Sequence, residues 1–149
     1  MQVAELLLVL TALLTFFNTG LQYYTTVSTY PLFSDLAAEA FVPYHQAYER
    51  RLPFAIYVPY TLLMLTTILL AFVRPASVAL GWVFVLLALN GSIMAVSLAF
   101  AAPIHARLDR EGKNERWLHL LRRYNLPRLL AASASSLILC LLLVRSFAA

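Results

Sequence analysis

Charged residues are scarce in this chain of 149 residues: Asp, Glu, Lys and Arg together make up 12%, and only 7 residues are acidic. In soluble chains roughly a quarter of all residues are charged, so the composition excludes an ordinary soluble domain. Cysteine is limited to Cys140, which excludes a disulfide framework. Hydrophobic residues instead reach 62%. This composition indicates a membrane protein.

Four apolar stretches are long enough to cross a hydrocarbon core, which takes about 20 residues of helix. They are residues 3–28, 52–73, 78–102 and 126–147. The first lacks a basic leading region, carries Glu5 and is longer than the apolar part of a signal peptide, so we expect it to be a permanent helix. The sequence predicts an all-α fold: one integral membrane domain, residues 1–149, built as a four-helix transmembrane bundle. A short amphipathic interfacial helix is expected between spans one and two.

The basic residues are distributed unevenly between the predicted connections. Of the 11 Lys and Arg residues, all except Arg74 and Arg145 lie in or beside the first and third connections. By the positive-inside rule these connections face the cytoplasm, and both termini lie outside. Topology therefore accounts for the basic excess. We expect the lipid bilayer as a partner, and no nucleic acid.

Unusual polar residues fall at the predicted cytoplasmic ends of all four spans. They are Tyr30 after span one; Tyr44, His45, Tyr48, Glu49 and Arg51 before span two; His105 and Asp109 after span three; and Asn125 and Arg128 at the start of span four. Ionisable residues near a membrane usually pair with one another or line a functional cavity. These residues are therefore the candidate site. Tyr23, Tyr24, Tyr57 and Tyr60 are instead expected in an interfacial aromatic belt.

Two histidine–carboxylate spacings suggest a metal site. His45 and Glu49 are four residues apart, as are His105 and Asp109, so in helices each pair shares a face. The four side chains could supply nitrogen and oxygen ligands for a transition metal, or the two histidines could ligate a haem from opposite sides. The alternative is that each carboxylate only orients a histidine or pairs with an arginine, which leaves a polar pocket without a cofactor.

A pocket without a cofactor would place His45 or His105 as the base, because histidine titrates near neutral pH. Arg51 and Arg128 could hold an anion or an enolate-like oxygen, while Asn125 and the tyrosines Tyr30, Tyr44 and Tyr48 donate hydrogen bonds. Apolar walls from the four spans favour a lipophilic aromatic or quinone-like small molecule.

Four short motifs follow one another in a specific order along the chain. "YP", "YHQAYERR", "PIHARLDREG" and "RYNLPR" together resemble a family of small uncharacterised bacterial four-helix integral membrane proteins, similar to the anthrone-oxygenase-like superfamily. The matching positions are Tyr30, Pro31, His45, Arg51, Pro103, His105, Leu108, Asn125 and Arg128. The resemblance implies a bacterial inner membrane location and oxygenation of anthrones to anthraquinones without an evident cofactor. The relatives usually carry a tryptophan after the asparagine, where this chain has Leu126.

Three functions remain open from the sequence. The first is a cofactor-independent, oxygenase-like oxidoreductase that acts on a lipophilic aromatic or quinone-like molecule. The second is a non-catalytic accessory subunit of a larger membrane complex, or a homo-oligomer, in which the small residues 131–136 form a packing face. The third is a haem-binding or metal-binding membrane protein.

Overall fold

The computed structural model describes residues 2–148, which form five helices and no β-strand. The helices are α1 (Val3–Asp35), α2 (Ala38–Glu49), α3 (Pro53–Phe72), α4 (Leu80–Glu111) and α5 (Glu115–Ala148). All except α2 are long and apolar enough to cross a membrane. The predicted all-α fold is confirmed, and the chain is a multi-pass membrane protein.

Three of the long helices extend past the predicted spans at the same end of the bundle. α1 continues to Asp35, α4 continues to Glu111 and α5 already begins at Glu115. At 1.5 Å per residue, the 34 residues of α5 measure about 50 Å, well beyond a core of about 30 Å. The turn between α4 and α5 contains Gly112, whose φ of 79° favours glycine. This end of the bundle therefore projects out of the membrane, and α2 packs against it.

Close packing of α1 against α5 depends on small side chains. Thr19 Oγ1 lies 3.0 Å from the carbonyl oxygen of Ala132 and 2.8 Å from Ser136 Oγ. Ala132 and Ser135 are fully buried. Small residues let helix backbones approach closely in a membrane. Part of the run 131–136 thus packs inside the bundle.

The interior differs between the two ends of the bundle. One end, at the N-terminus of α1 and the C-terminus of α5, holds an apolar cluster. Its buried members are Leu8, Ala12, Leu70, Val78, Val83, Leu86, Leu139 and Leu142. The opposite end holds a second cluster rich in aromatic residues: Tyr30, Phe33, Phe41, Ala101, Ile104, Leu108, Leu118 and Leu121. The histidines lie within this second cluster.

Three π-helical segments widen the helices at the aromatic end. They are Thr25–Thr29 in α1, Pro53–Tyr57 in α3 and Ser97–Ala101 in α4. Each segment ends two residues before a proline, namely Pro31, Pro59 and Pro103. Proline has no N–H and clashes with the carbonyl four residues earlier, and a wider turn relieves that conflict. Pro43 and Pro127 lie inside helices without such a segment, so proline alone does not produce it.

Candidate functional site

Two buried histidines from different helices are in direct contact at the aromatic end. His45 of α2 and His105 of α4 are joined by a 2.8 Å contact between Nε2 of His45 and Nδ1 of His105. The rings stack, with centroids 5.0 Å apart and an interplanar angle of 25°. The ring of Phe33 packs edge-on against His45 and that of Phe41 stacks on it, each with its centroid 5.4 Å away. Apolar packing therefore holds the histidine pair out of water.

Each histidine contacts a carboxylate from the other helix. His45 Nδ1 lies 2.7 Å from Asp109 Oδ1, and His105 Nδ1 lies 3.6 Å from Glu49 Oε1. The i,i+4 spacing places histidine and carboxylate on one face of each helix. Since those faces pack together, the close partners form between helices, not within them.

The contacts form a continuous hydrogen-bond chain when both histidines are neutral. The Tyr30 hydroxyl lies 3.4 Å from His105 Nε2 and donates to it. His105 Nδ1–H then donates to His45 Nε2, and His45 Nδ1–H donates to Asp109. This tautomer assignment follows from the contact network. The chain joins a buried tyrosine to a carboxylate whose side chain is 24% exposed.

A cavity of about 450 Å³ opens beside this chain, within the roughly 300–1,000 Å³ of small-molecule sites. Its polar wall consists of Gln22, Tyr30, Tyr48, Glu49, Tyr57, Tyr60, Thr61, Ser97, His105 and Arg128. Its apolar wall consists of Leu52, Ile56, Ile93, Met94, Leu98, Ala101, Ala102 and Ala106. Two of the π-helical segments supply wall residues, so the widened turns help to form the cavity.

Arg128 lines this cavity and is only 8% exposed. Among the described residues, no carboxylate lies within ion-pair distance of its guanidinium, and its Nε has no hydrogen-bond partner. A buried charge is costly unless it is paired. Arg128 is therefore a positive group that faces the cavity without a counter-charge from the protein.

The structure brings some of the predicted site residues to the cavity and leaves others outside its wall. Tyr30, Tyr48, Glu49, His105 and Arg128 line it, and His45 and Asp109 lie behind His105 in the hydrogen-bond chain. Tyr44, Arg51 and Asn125 lie elsewhere.

These three residues have contacts of their own. Tyr44 is half exposed and meets the Phe33 ring edge-on. Arg51 is exposed and donates to the Ala47 carbonyl oxygen at 2.7 Å. Asn125 is buried and donates to the Gln22 carbonyl oxygen at 3.1 Å and to Thr26 Oγ1 at 2.6 Å. Asn125 thus fixes the α1 π-helical segment that precedes Tyr30.

Burial alters the acidity of two α2 side chains beside the cavity. Burial, with the neighbouring Asp109 carboxyl as the second cause, raises the pKa of Glu49 to about 7. Burial also raises the pKa of Tyr48 well above its usual range. Glu49 can therefore exchange a proton near neutral pH, whereas Tyr48 remains a hydrogen-bond donor.

Tyr60 differs from its predicted position in the interfacial belt. It is buried, lines the cavity and donates to the Asn90 carbonyl oxygen. Its position on the helix could have predicted this burial, because Tyr60 shares a helical face with Leu63, Thr67 and Leu70, which are all buried. Tyr23, Tyr24 and Tyr57 are exposed, as expected for a belt. Gln22, Thr61 and Ser97 are further cavity residues that the sequence did not single out as site residues.

The histidine pair also offers atoms for a metal ion. One ligand atom each from His45, Glu49 and His105 lies within 4.8 Å of the others, and Asp109 is positioned to orient His45 through its Nδ1. The facing histidine nitrogens would have to separate slightly from their 2.8 Å contact, because two metal bonds of about 2.0 Å place ligand atoms farther apart. The rings touch directly, so a haem cannot fit between them without moving α2 away from α4.

The fold and the site define a multi-pass helical membrane protein with a histidine-containing cavity at one end of the bundle. No known protein family, curated protein or solved structure matches the chain.

Proposed function

We propose that the protein is a small membrane oxidoreductase of oxygenase type, which acts without a cofactor on a lipophilic aromatic molecule with an acidic C–H group. The observation that carries this proposal is the hydrogen-bond chain from Tyr30 through His105 and His45 to Asp109, which begins at a partly open, largely apolar cavity. The sequence resemblance to the anthrone-oxygenase-like superfamily supports the same substrate class. The same resemblance supports a bacterial inner membrane location, and the basic connections support a site on the cytoplasmic side.

His105 is the base in this proposal because it lines the cavity and its Nε2 lies 3.4 Å from the hydroxyl of Tyr30, another wall residue. It removes a proton from a CH₂ group that lies between two aromatic rings conjugated with a carbonyl, either directly or through the tyrosine hydroxyl. A positioned general base typically contributes about 10²–10⁴-fold to a rate. His45 and Asp109 stabilise the resulting imidazolium, and Arg128 stabilises the enolate oxygen.

Molecular oxygen is the oxidant in the reaction that follows. It adds to the enolate carbon; one oxygen atom becomes the new carbonyl, and the other leaves as water with the two hydrogens of the CH₂ group. The balance is R₂CH₂ + O₂ → R₂CO + H₂O, so no external reductant is needed. The apolar wall keeps the reactive enolate away from bulk water.

Anthrone is a direct probe for this activity. The protein, in mild detergent or nanodiscs, is expected to form anthraquinone and to consume one O₂ per product, at a rate above the autoxidation of anthrone. His105→Ala should lose this rate, whereas His119→Ala, which alters an exposed histidine in α5, should retain it. A wild-type rate equal to autoxidation, or equal rates for the two variants, would reject the proposal.

A transition-metal site is the second candidate, and the grouping of His45, Glu49 and His105 favours it. Two histidines and one carboxylate form the ligand set of many non-haem iron oxygenases. Elemental analysis of protein purified without chelators should then give about one metal atom per chain. His45→Ala and His105→Ala should lose this metal, and His119→Ala should keep it. Wild-type protein that stays metal-free after incubation with Fe²⁺ or Zn²⁺ eliminates this candidate.

A further inference from the structure

The charge of the ligand that the cavity binds can be inferred from the charges around Arg128. The Arg128 guanidinium is a positively charged group with hydrogen-bond donors only, and it lies in the interior of the bundle. It is buried, faces the cavity and has no carboxylate partner among the described residues. A charge in this position normally has an anion beside it. We propose that the cavity holds its aromatic ligand in an anionic form, either a carboxylate or the enolate formed in the site, with the charged oxygen at Arg128.

The protein's own acidic groups do not fill this role. Asp109 lies against His45, and Glu49 lies 3.6 Å from His105. Neither carboxylate lies within ion-pair distance of the Arg128 guanidinium. The remaining polar residues on the wall, which include Tyr30, Tyr48, Tyr60 and His105, carry no carboxylate. The missing negative charge must therefore come from the ligand.

The rest of the cavity wall indicates the chemical class of the anionic ligand. Ile56, Met94 and Leu98 supply apolar surface to the cavity wall, which suits a hydrocarbon body better than a hydrated ion. Tyr57 and Leu98 belong to different π-helical segments, line the cavity and are both more than half exposed. A ligand taken up from the bilayer would meet the cavity at these exposed wall residues. The ligand class is therefore a membrane-soluble aromatic acid.

This inference rests on the cavity of the proposed function and specifies the charge of its ligand, but its test is a binding measurement that needs no turnover. The probes are 2-naphthoate and 2-naphthamide, which have nearly the same shape and differ in charge. Binding is measured by fluorescence titration in nanodiscs of neutral phosphatidylcholine at pH 7.5. Charge-assisted hydrogen bonds predict that wild-type protein binds naphthoate about tenfold or more tightly than naphthamide.

Two arginine variants on the same helix distinguish anion binding in the cavity from a general effect of positive surface charge. Arg128→Gln should reduce the preference for naphthoate to within about twofold. Arg123→Gln makes the same change of charge at an exposed position of α5 and should keep the full preference. The inference is overturned if wild-type protein binds both probes equally or binds neither, or if Arg128→Gln keeps the preference.

A cavity-filling variant covers the case in which Arg128→Gln does not fold. Ala102→Trp places a bulky ring in the wall from α4 and leaves Arg128 intact, so naphthoate binding should be lost. Naphthoate binding that survives this change would place the anion elsewhere and overturn the inference. If anthrone is not oxidised but the naphthoate preference depends on Arg128, only the proposed oxygenase function fails. If anthrone is oxidised and the preference is absent, only the anion inference fails.

Discussion

His45 and Asp109 are 64 positions apart in the sequence and are joined by a 2.7 Å contact between Nδ1 and Oδ1. The contact determines which nitrogen of His45 carries hydrogen, and so turns Nε2 towards His105 as an acceptor. A carboxylate in this position also stabilises a positive charge on the histidine pair. Asp109 is therefore a positioning residue that acts on the cavity through both imidazoles.

Removal of the Asp109 charge is expected to change the pH dependence of anthrone oxidation more than substrate binding. In Asp109→Asn the imidazolium loses its negative neighbour, so the apparent pKa of the base in the kcat profile should fall and kcat should drop about tenfold or more, within the range of general-base effects. KM should remain within about twofold. The control is Asp35→Asn, an exposed acid at the end of α1. An unchanged pH profile in Asp109→Asn would contradict the role of the hydrogen-bond chain in proton transfer.

The raised pKa of Glu49 should make the stability of the protein depend on pH. Its pKa is about 7 in the folded protein against 4.5 for the ordinary group, so the folded state binds the proton more tightly than the unfolded chain. The resulting stabilisation is complete below pH 4.5 and is lost as the pH rises through about 7. Glu49→Gln mimics the protonated form, so its melting temperature should exceed the wild-type value increasingly over that window.

The matched control for this experiment is Glu39→Gln, which changes an exposed acid in the first turn of the same helix. Its melting curve should run parallel to the wild type from pH 5 to 8. A constant difference between Glu49→Gln and the wild type over the same range would show that folding does not raise the pKa.

Asn125 predicts a cost in stability through its contacts with α1. Asn125→Ala removes the hydrogen bonds to the Gln22 carbonyl oxygen and Thr26 Oγ1, and interhelical hydrogen bonds in membranes are worth about 0.6–2 kcal/mol each. Unfolding in detergent should show a loss of about 1–3 kcal/mol for the two bonds together. Thr26→Val removes only one of these partners and should cost less. Equal stability of Asn125→Ala and wild-type protein would contradict the anchoring role.

The α1–α5 contact should not tolerate a larger side chain at Ala132. Ala132 is fully buried and its carbonyl oxygen lies 3.0 Å from Thr19 Oγ1, so Ala132→Leu should destabilise the bundle by about 1–3 kcal/mol through overpacking. Cys140→Leu enlarges an exposed residue of the same helix and should be nearly neutral. Thermal unfolding of both variants in one detergent is the comparison; similar melting temperatures would argue against close packing here.

Gly112 predicts a backbone effect at the turn between α4 and α5. Its φ of 79° and ψ of −164° are strained for any residue with a side chain, so Gly112→Ala should cost about 1–3 kcal/mol. An added Cβ would meet Val42 at an ordinary 3.8 Å, which leaves conformation as the cause. Gly81→Ala lies in α4 with open space around it and should be neutral or stabilising. A stable Gly112→Ala would show that the turn relaxes.

The sequence predicted the helices well because hydropathy alone determines where a chain can cross a bilayer. It did not predict the three π-helical segments, although each precedes a proline by two residues. It placed each histidine on one helical face with the carboxylate four residues later, but it could not predict the closer contacts between the two helices, because i,i+4 spacing describes a single helix. Helical phase could have distinguished Arg128 from Arg51, since Arg128 shares the buried face of Leu121, Asn125 and Ala132.

The apolar cluster around Leu8, Leu70 and Leu139 separates the polar half of the bundle from the other membrane face. In the proposed reaction, a proton that His105 takes from the ligand would therefore pass through His45 to Asp109, on the polar side of this cluster. No net charge crosses the bilayer in such a cycle. We expect turnover in sealed vesicles to be indifferent to an imposed membrane voltage, and the protein to work equally well in energised and de-energised cells.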